Sequence, residues 1–246
     1  KIDQPEWKEL IDIKDIEVFA NKIEFPVIVR PSYVLSGSAM VVAYSMSDLN
    51  NYLKNLSEIN SKYPIVVSKF IEGAKEIEFD AVGCSGNIIN YAISEHVENA
   101  GVHSGDAMMC IPPWRLSNKI IETITEYTKK IALTFNVKGP FNLQYLVHDD
   151  HVYVIELNIR ASRSMPFVSK LVKMNLISLA SRAILDKPLP KIPENKWKNI
   201  HNYGIKVPQF SFMQLQGADI ALGVEMQSTG EAACFGDSFY DALSKG

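Results

Sequence analysis

A polar stripe on one short segment is the feature of this sequence that most directly suggests chemistry. Val154–Arg160 has the pattern of a β-strand, in which alternate side chains point to the same face. Glu156, Asn158 and Arg160 therefore line one face. This combination suits a divalent metal that carries a polyphosphate, because hard cations take oxygen ligands and guanidinium groups bind phosphate oxygens. Arg163 follows directly and adds a second guanidinium.

The segment before the stripe supplies matching polar side chains. Phe141–Val147 and Val152–Asn158 are predicted to form a hairpin. If its loop has an odd number of residues, Gln144 lies opposite Glu156, and Asn142 completes an oxygen-rich patch. The apolar face is then expected to carry Tyr145, Val147, Tyr153, Ile155 and Leu157. A solvated hairpin face fits the same pattern, so the metal remains a hypothesis at this point.

Two further places could bind an anion or a nucleotide. Arg30 ends an apolar strand before Ser36-Gly37-Ser38, where small residues let backbone N–H groups approach an anion. Gly101–Asp106 is predicted to be part of a loop that begins at His96, and it places His103 between two glycines. An ordinary turn after Arg30 would show the same residues, and so would a Gly101–Asp106 loop that is merely exposed. Both binding sites therefore remain hypotheses at this point.

Composition excludes several classes of function. The chain has 246 residues, 47% of them hydrophobic, and a net charge of -3, so it can bury a large core and does not suggest nucleic-acid binding. No apolar run is long enough to predict a membrane span. Three scattered cysteines favour a reducing compartment. Neither GxxxxGK[ST] nor GxSxG occurs, so phosphate chemistry needs another scaffold.

The predicted elements mix helices and strands without regular alternation, which favours an α+β fold. Helical spacing of Ile16, Phe19, Ala20 and Ile23 predicts a first helix. The other predicted elements are a helix capped by Ser47, strands on either side of Ser85–Asn87, a helix capped by Ser117 with a face ending at Phe135, a single helix over Phe167–Leu185, and a strand within Lys206–Phe212. The rest of the tail gives no derivable structure.

Several long strings give the chain a resemblance to a known family. The strings are Phe25–Met40, Ser94–Asp106, Gly139–Gln144, Val154–Lys170, Val207–Phe212 and Gly223–Gly230. They resemble the synthetase part of carbamoyl phosphate synthetase, over essentially the whole chain. That family has two homologous ATP-grasp halves. Ala100–Asp106 together with Pro166–Lys170 is similar to the second half, which phosphorylates carbamate with ATP.

The resemblance implies an α+β ATP-grasp fold, with a lid at 1–72, a C subdomain at 73–190 and an extension at 191–246. It implies a Mg²⁺ or Mn²⁺ site at Gln144, Glu156 and Asn158, and catalytic roles for Arg160 and Arg163. A K⁺ ion is expected beside the nucleotide. The implied nucleotide-binding residues are Arg30, Lys69, Ile71, Glu76, Gly101, Val102, His103, Ser104, Gln144 and Glu156.

The resemblance also implies missing partners. A further subdomain is expected upstream of Lys1, together with other synthetase domains and a glutaminase part or subunit, so the isolated chain is expected to be nearly inactive. A cytoplasmic location is expected, with a mitochondrial one possible. The parent's nitrogen source, glutamine or ammonia, stays open. Two alternatives also stay open: another ATP-grasp ligase, and a non-catalytic half with a structural or regulatory role.

Overall fold

Two antiparallel sheets organise the chain. The computed structural model describes residues 1–32, 39–57, 63–192, 202–211 and 221–246, so Ser36–Ser38 and Phe212 lie outside the described residues. The smaller sheet consists of β1 (Trp7–Leu10), β2 (Val27–Pro31), β3 (Val41–Ala43) and β4 (Ile65–Lys69), in the spatial order β1-β4-β2-β3.

Two helices, α1 (Ile13–Ile23) and α2 (Met46–Ser57), contribute to the core of the smaller sheet. The four apolar residues that predicted α1 are all buried against Val27, Val29 and Val67. The predicted cap of α2 was wrong by two residues. Ser45 Oγ accepts a hydrogen bond from Asp48 N, and Asp48 Oδ2 accepts one from Tyr44 N. This reciprocal pair resembles a capping box and starts α2 at Met46.

The larger sheet has seven strands and carries most of the described core. Its strands are β5 (Lys75–Cys84), β6 (Asn87–Asn99), β7 (Met109–Ile111), β8 (Gly139–His148), β9 (His151–Asn158), β10 (Tyr203–Gln209) and β11 (Gly230–Gly236), in the order β11-β10-β7-β6-β5-β8-β9. The helices that follow β7 are α3 (Asn118–Thr134), α4 (Met165–Leu171), α5 (Leu176–Ile184) and α6 (Phe239–Leu243).

One face of the larger sheet is apolar and packs against α3 and α5. Ile77 and Phe79 of β5 lie on it, fully buried. Ser117 caps α3 by accepting a hydrogen bond from Ile120 N, as predicted. Phe135 was wrongly assigned to the buried face of α3 and is 62% exposed. The buried stripe of the helix runs instead through Ile120, Ile124, Thr128 and Ala132.

Tertiary pairing corrects two further sequence predictions. The loop expected from His96 is still strand, because Glu95 and His96 pair with Cys110 and Met109 of β7. The single helix expected over Phe167–Leu185 is broken into α4 and α5. Lys173 between them has a positive φ of 51°, and Asn175 starts α5 by accepting a hydrogen bond from Ser178 N. No helix within the described ranges is both long and apolar enough to cross a membrane.

Candidate active site

The β8–β9 hairpin has the register that the polar stripe predicted. Gln144 pairs with Glu156, and Asn142 pairs with Asn158. The odd loop on which the predicted register depended is not present, since the turn is the two residues Asp149 and Asp150, both with positive φ as in a type I′ turn. A β-bulge at Ile155 supplies the odd residue instead, because Tyr145 pairs with Val154 while Gln144 pairs with Glu156.

The bulge reverses the expected apolar face of β9. Val152 and Val154 are buried beside Tyr145 and Val147, whereas Ile155 is 37% exposed and Tyr153 is half-buried. The assignment of Tyr153 and Ile155 to the apolar face was therefore wrong. A bulge next to a site re-aims the side chains that follow it, and here it turns Glu156 onto the polar face.

Three acidic residues of β5, here called the carboxylate row, occupy the centre of that polar face. Glu76, Glu78 and Asp80 alternate with the core residues Ile77 and Phe79, and all three are buried. Burial raises the pKa of Glu76 to about 7 and that of Asp80 to about 6. Only one residue separates each end of this row from its centre, so the negative charges of neighbouring carboxylates also repel one another.

His96 of β6 lies against the carboxylate row. Its Nε2 is 3.5 Å from Glu78 Oε1, and its Nδ1 is 3.9 Å from Glu76 Oε2. Burial alone would lower the pKa of His96, but the two carboxylates raise it above its usual value. Burial alone would raise the pKa of Glu78, yet His96 lowers it. The two groups therefore form a buried ion pair on the polar face.

The Gly101–Asp106 loop borders the same face and is held by the chain's tail. Lys206 Nζ of β10 donates to Ser104 O at 2.8 Å, and His103 N donates to Gly223 O at 2.7 Å. Both oxygens of Asp106 accept backbone N–H groups of the 227–228 segment at 2.8 Å. Burial lowers the pKa of His103, so its ring is neutral at pH 7.

A cavity of about 450 Å³ lies between the smaller sheet and this loop. Gly101 lines it at a φ of 111°, a backbone conformation that favours glycine, and a Cβ there would lie 3.0 Å from the Phe70 ring, a tight contact. The lining residues are Met40, Val41, Val42, Tyr44, Phe70, Glu72, Gly73, Ala100, Gly101, Val102, Leu222, Gly223 and Val224.

Comparison with known proteins identifies this arrangement. Residues 5–192 match the family model for the carbamoyl-phosphate synthase L chain, ATP binding domain. The chain belongs to this family. This carbamoyl-phosphate synthase domain is therefore an ATP-binding domain.

The similar curated proteins are much longer than this carbamoyl-phosphate synthase domain. It is 51% identical to the multifunctional protein URA2 of Saccharomyces cerevisiae over 99% of its own length and 11% of that protein. It is 46% identical to the mitochondrial arginine-specific large chain of Schizosaccharomyces pombe, over 98% of this chain and 21% of that one. The domain thus spans between about a tenth and a fifth of these relatives.

Solved structures show the same fold at low sequence identity. An N5-carboxyaminoimidazole synthase from Aspergillus clavatus, in complex with ADP, matches with a TM-score of 0.76 and 16% identity, over 99% of this chain and 67% of that one. The biotin carboxylase domain of Hydrogenobacter thermophilus 2-oxoglutarate carboxylase, with MgADP and bicarbonate, matches at 0.70 and 16%, over 84% and 47%. These matches confirm the expected α+β ATP-grasp fold.

The two expected cations of the smaller sheet occupy different surroundings in this synthase domain. Arg30 is exposed. It lies on the same face of β2 as Ile28, and Ile28 pairs with Val42, one of the residues that line the cavity. Lys69 is half-buried, and its Nζ donates to the carbonyls of Glu24 and Phe25 at 3.0 and 3.2 Å. Ile71 lies between the cavity residues Phe70 and Glu72 but does not itself line the cavity.

Arg160 and Arg163 follow β9 and are both exposed. Arg163 Nη1 lies 3.0 Å from Met226 Sδ, so the tail that holds the Gly101–Asp106 loop also contacts this arginine. Gln144 Nε2 is 3.4 Å from Glu78 Oε1, which links the predicted metal patch to the carboxylate row. The polar face therefore joins Gln144, Glu156 and Asn158 with a set of buried groups.

Sequence reasoning missed several members of this face. It singled out Glu76 but not Glu78, Asp80, His96 or Lys206. The alternation of acids with Ile77 and Phe79 was a usable signal, because a strand that buries both faces should not carry three acids in a row without partners. His96 and Lys206 gave no such signal, since only the pairing of β6, β7 and β10 brings them to the face.

The donor set fits a divalent cation bound together with a polyphosphate. Within the described ranges no group of three histidine, cysteine or acidic side chains is arranged to hold a metal. Gln144, Glu156 and Asn158 instead offer one carboxylate and two amide oxygens on adjacent strands. Mg²⁺ commonly takes one or two protein carboxylates and completes its shell with substrate phosphates and water.

Proposed function

We propose that this chain is the ATP-grasp domain of the second half of a carbamoyl phosphate synthase, where carbamate and ATP give carbamoyl phosphate and ADP. The observation that carries the proposal is the pairing of Gln144 with Glu156 and of Asn142 with Asn158, immediately before Arg160 and Arg163. Oxygen donors and guanidinium groups at one strand end suit the transfer of a charged phosphoryl group. The resemblance of Ala100–Asp106 to the second half supports carbamate as the acceptor.

Each part of the site has a task in this scheme. The adenosine would occupy the cavity beside Gly101 and Val102, with Lys69, Ile71 and Glu76 near the base and ribose, and with His103 and Ser104 at its edge. Arg30 would bind the phosphates from the open face of the smaller sheet. Arg160 and Arg163 would neutralise charge on the transferred group and orient the carbamate oxygen for in-line attack.

The metal site would use Gln144, Glu156 and Asn158. Bound Mg²⁺, or Mn²⁺ with the same preference for oxygen, supplies charge neutralisation at the phosphates. A K⁺ ion would lie at the Gly101–Ser104 turn, next to Glu76. This is supported by the bond from Ala100 N to Ala74 O at 2.8 Å, which holds the turn against the start of the carboxylate row.

Residues 1–72 would act as a lid over 73–190, with 191–246 bracing the Gly101–Asp106 loop. Water must be excluded because carbamate and acyl phosphates hydrolyse readily. The other synthase domains and a glutaminase part or subunit would supply carbamate, so the isolated chain is expected to bind nucleotide but to turn over little.

The test is Glu156→Gln in a full-length synthase that contains this chain. ATP formation from ADP and carbamoyl phosphate, the reverse of the proposed step, should fall by about 100-fold or more, because the site loses a charge aimed at the metal and phosphates. Bicarbonate-dependent ATP hydrolysis, which belongs to the other half, should survive. The variant Glu122→Gln, on the exposed surface of α3, is the matched control.

Two outcomes would contradict the proposal. If Glu156→Gln leaves ATP formation unchanged, the stripe is not the phosphoryl-transfer site. If both reactions are lost while the protein stays folded by circular dichroism, the chain does not serve the carbamate step alone.

A further inference from the structure

Ser164 starts α4 but does not cap it. A serine at this position normally accepts a hydrogen bond from a backbone N–H of the first helical turn. In α4 that bond is absent. The Ser164 hydroxyl instead donates to Asp80 Oδ2 at 2.8 Å. A local helix cap has therefore been exchanged for a link between α4 and the centre of the larger sheet.

Asp80 is itself held on its other oxygen. Asn142 Nδ2 donates to Asp80 Oδ1 at 3.0 Å and to Glu78 Oε2 at 3.1 Å. Asp80, Asn142 and Ser164 are all at most 3% exposed. A carboxylate is costly to bury, and these hydrogen bonds offset part of that cost. The three residues form a rigid connection from β5 and β8 to the start of α4.

The segment tied down in this way carries both arginines of the proposed site. Arg163 immediately precedes Ser164, and Arg160 lies three residues earlier. Ser162, between the two arginines, has its Oγ 3.0 Å from Ser164 Oγ. The backbone also closes a turn here, because Met165 N donates to Ser162 O. A shift of Ser164 would therefore move the whole Arg160–Arg163 segment.

We propose that Asp80 is a positioning residue for phosphoryl transfer, which acts through the Ser164 and Ser162 hydroxyls to place Arg160 and Arg163. The catalytic role of the two arginines rests on the proposed function. The link from Asp80 to the Arg160–Arg163 segment does not, because it rests on hydrogen bonds in the structure. A small misplacement of a reacting geometry is enough to cost about 100-fold in rate, even when ligand affinity is kept.

The experiment compares Ser164→Ala, Ser164→Thr and Asp80→Asn in the full-length synthase. The first and third should lower kcat for ATP formation from carbamoyl phosphate by about 10- to 100-fold and change the Kd for MgATP by less than about threefold. Ser164→Thr keeps the hydroxyl and should restore most of kcat. The double variant Asp80→Asn/Ser164→Ala should be no slower than either single variant, because both remove the same link.

Ser169→Ala is the matched control. Ser169 Oγ also links α4 to its surroundings, by donating to Met165 O and accepting from Leu176 N, but it does not contact Asp80. It should lose comparable stability and keep kcat. If Ser169→Ala slows the reaction as much as Ser164→Ala, or if Ser164→Ala leaves kcat unchanged, the positioning role is wrong.

Hydrogen exchange separates this inference from the proposed function. Ser164→Ala and Asp80→Asn should raise the exchange rates of the 160–165 amides by at least about tenfold, while those of residues 101–106 stay unchanged. Unchanged exchange at 160–165 overturns the positioning link whatever the activity. Faster exchange at 160–165, in a synthase whose wild type forms no ATP from carbamoyl phosphate, keeps the link and refutes the proposed function.

Discussion

The smaller sheet presents the cation Arg30 to solvent at the end of β2, whereas the larger sheet buries Glu76, Glu78, Asp80 and His96 side by side. An exposed charge costs nothing to desolvate and can be neutralised by an incoming ligand. Buried charges must be neutralised within the protein, by pairing, hydrogen bonding or a shift of pKa. The larger sheet is therefore a preorganised set of buried polar groups, and the smaller sheet contributes an exposed charge.

The largest expected effect comes from breaking the buried ion pair. Glu78→Ala removes the carboxylate nearest to the buried His96 ring. Removing one member of a buried pair costs about 3 kcal/mol or more in the free energy of unfolding. Urea unfolding measures this loss.

The control for Glu78→Ala is Lys22→Ala on the smaller sheet's side. Lys22 Nζ is 2.7 Å from Glu6 Oε1, and both side chains are exposed, so its loss should cost less than about 1 kcal/mol. Equal losses from the two variants would show that burial does not distinguish the two regions.

A smaller effect should appear in the pH dependence of stability. The pKa of Glu76 is raised from 4.5 to about 7, so between these values the folded state holds a proton that the unfolded state has released. The contribution of Glu76 to the free energy of unfolding therefore decreases as pH rises from about 4.5 to about 7, by up to about 3 kcal/mol, and is then level. Stability curves from pH 4 to 8 measure this.

Glu76→Gln isolates that contribution, because it keeps the shape of the side chain and removes the titration. Its stability should fall less over this pH range than that of the wild type, while the contributions of Glu78, Asp80 and His96 remain in both. If the stability curves of Glu76→Gln and the wild type are parallel from pH 4 to 8, folding does not raise the pKa of Glu76.

The smallest effect on stability is expected for Arg30→Ala. Its side chain is exposed, so the free energy of unfolding should change by less than about 0.5 kcal/mol. Loss of a charge-assisted contact to phosphate should nevertheless weaken MgATP binding by about tenfold, as measured by calorimetry. Unchanged affinity, with the same stability, would remove Arg30 from the proposed nucleotide site.

The stripe of Glu156, Asn158 and Arg160 was predictable because strand alternation is local, and the pairing with Gln144 followed from matching polar faces. The reason for that pairing was not predictable. The predicted pairing was conditional on an odd loop, whereas the structure reaches it by combining a two-residue turn with a bulge at Ile155. Whether the register between β8 and β9 shifts by one residue depends on how Val152 and Val154 pack against the core. The local sequence does not specify that packing.

The sequence by itself determined the α+β composition, the polar stripe, the first helix, the cap at Ser117 and the family. Only the tertiary structure decided which charges meet. His96 reaches Glu78 because β6 and β5 pair, and Lys206 reaches Ser104 across 102 residues of chain because β10 joins the sheet beside β7. Electrostatic energies depend on distance and burial in space, so sites assembled from distant segments become visible only in the folded chain.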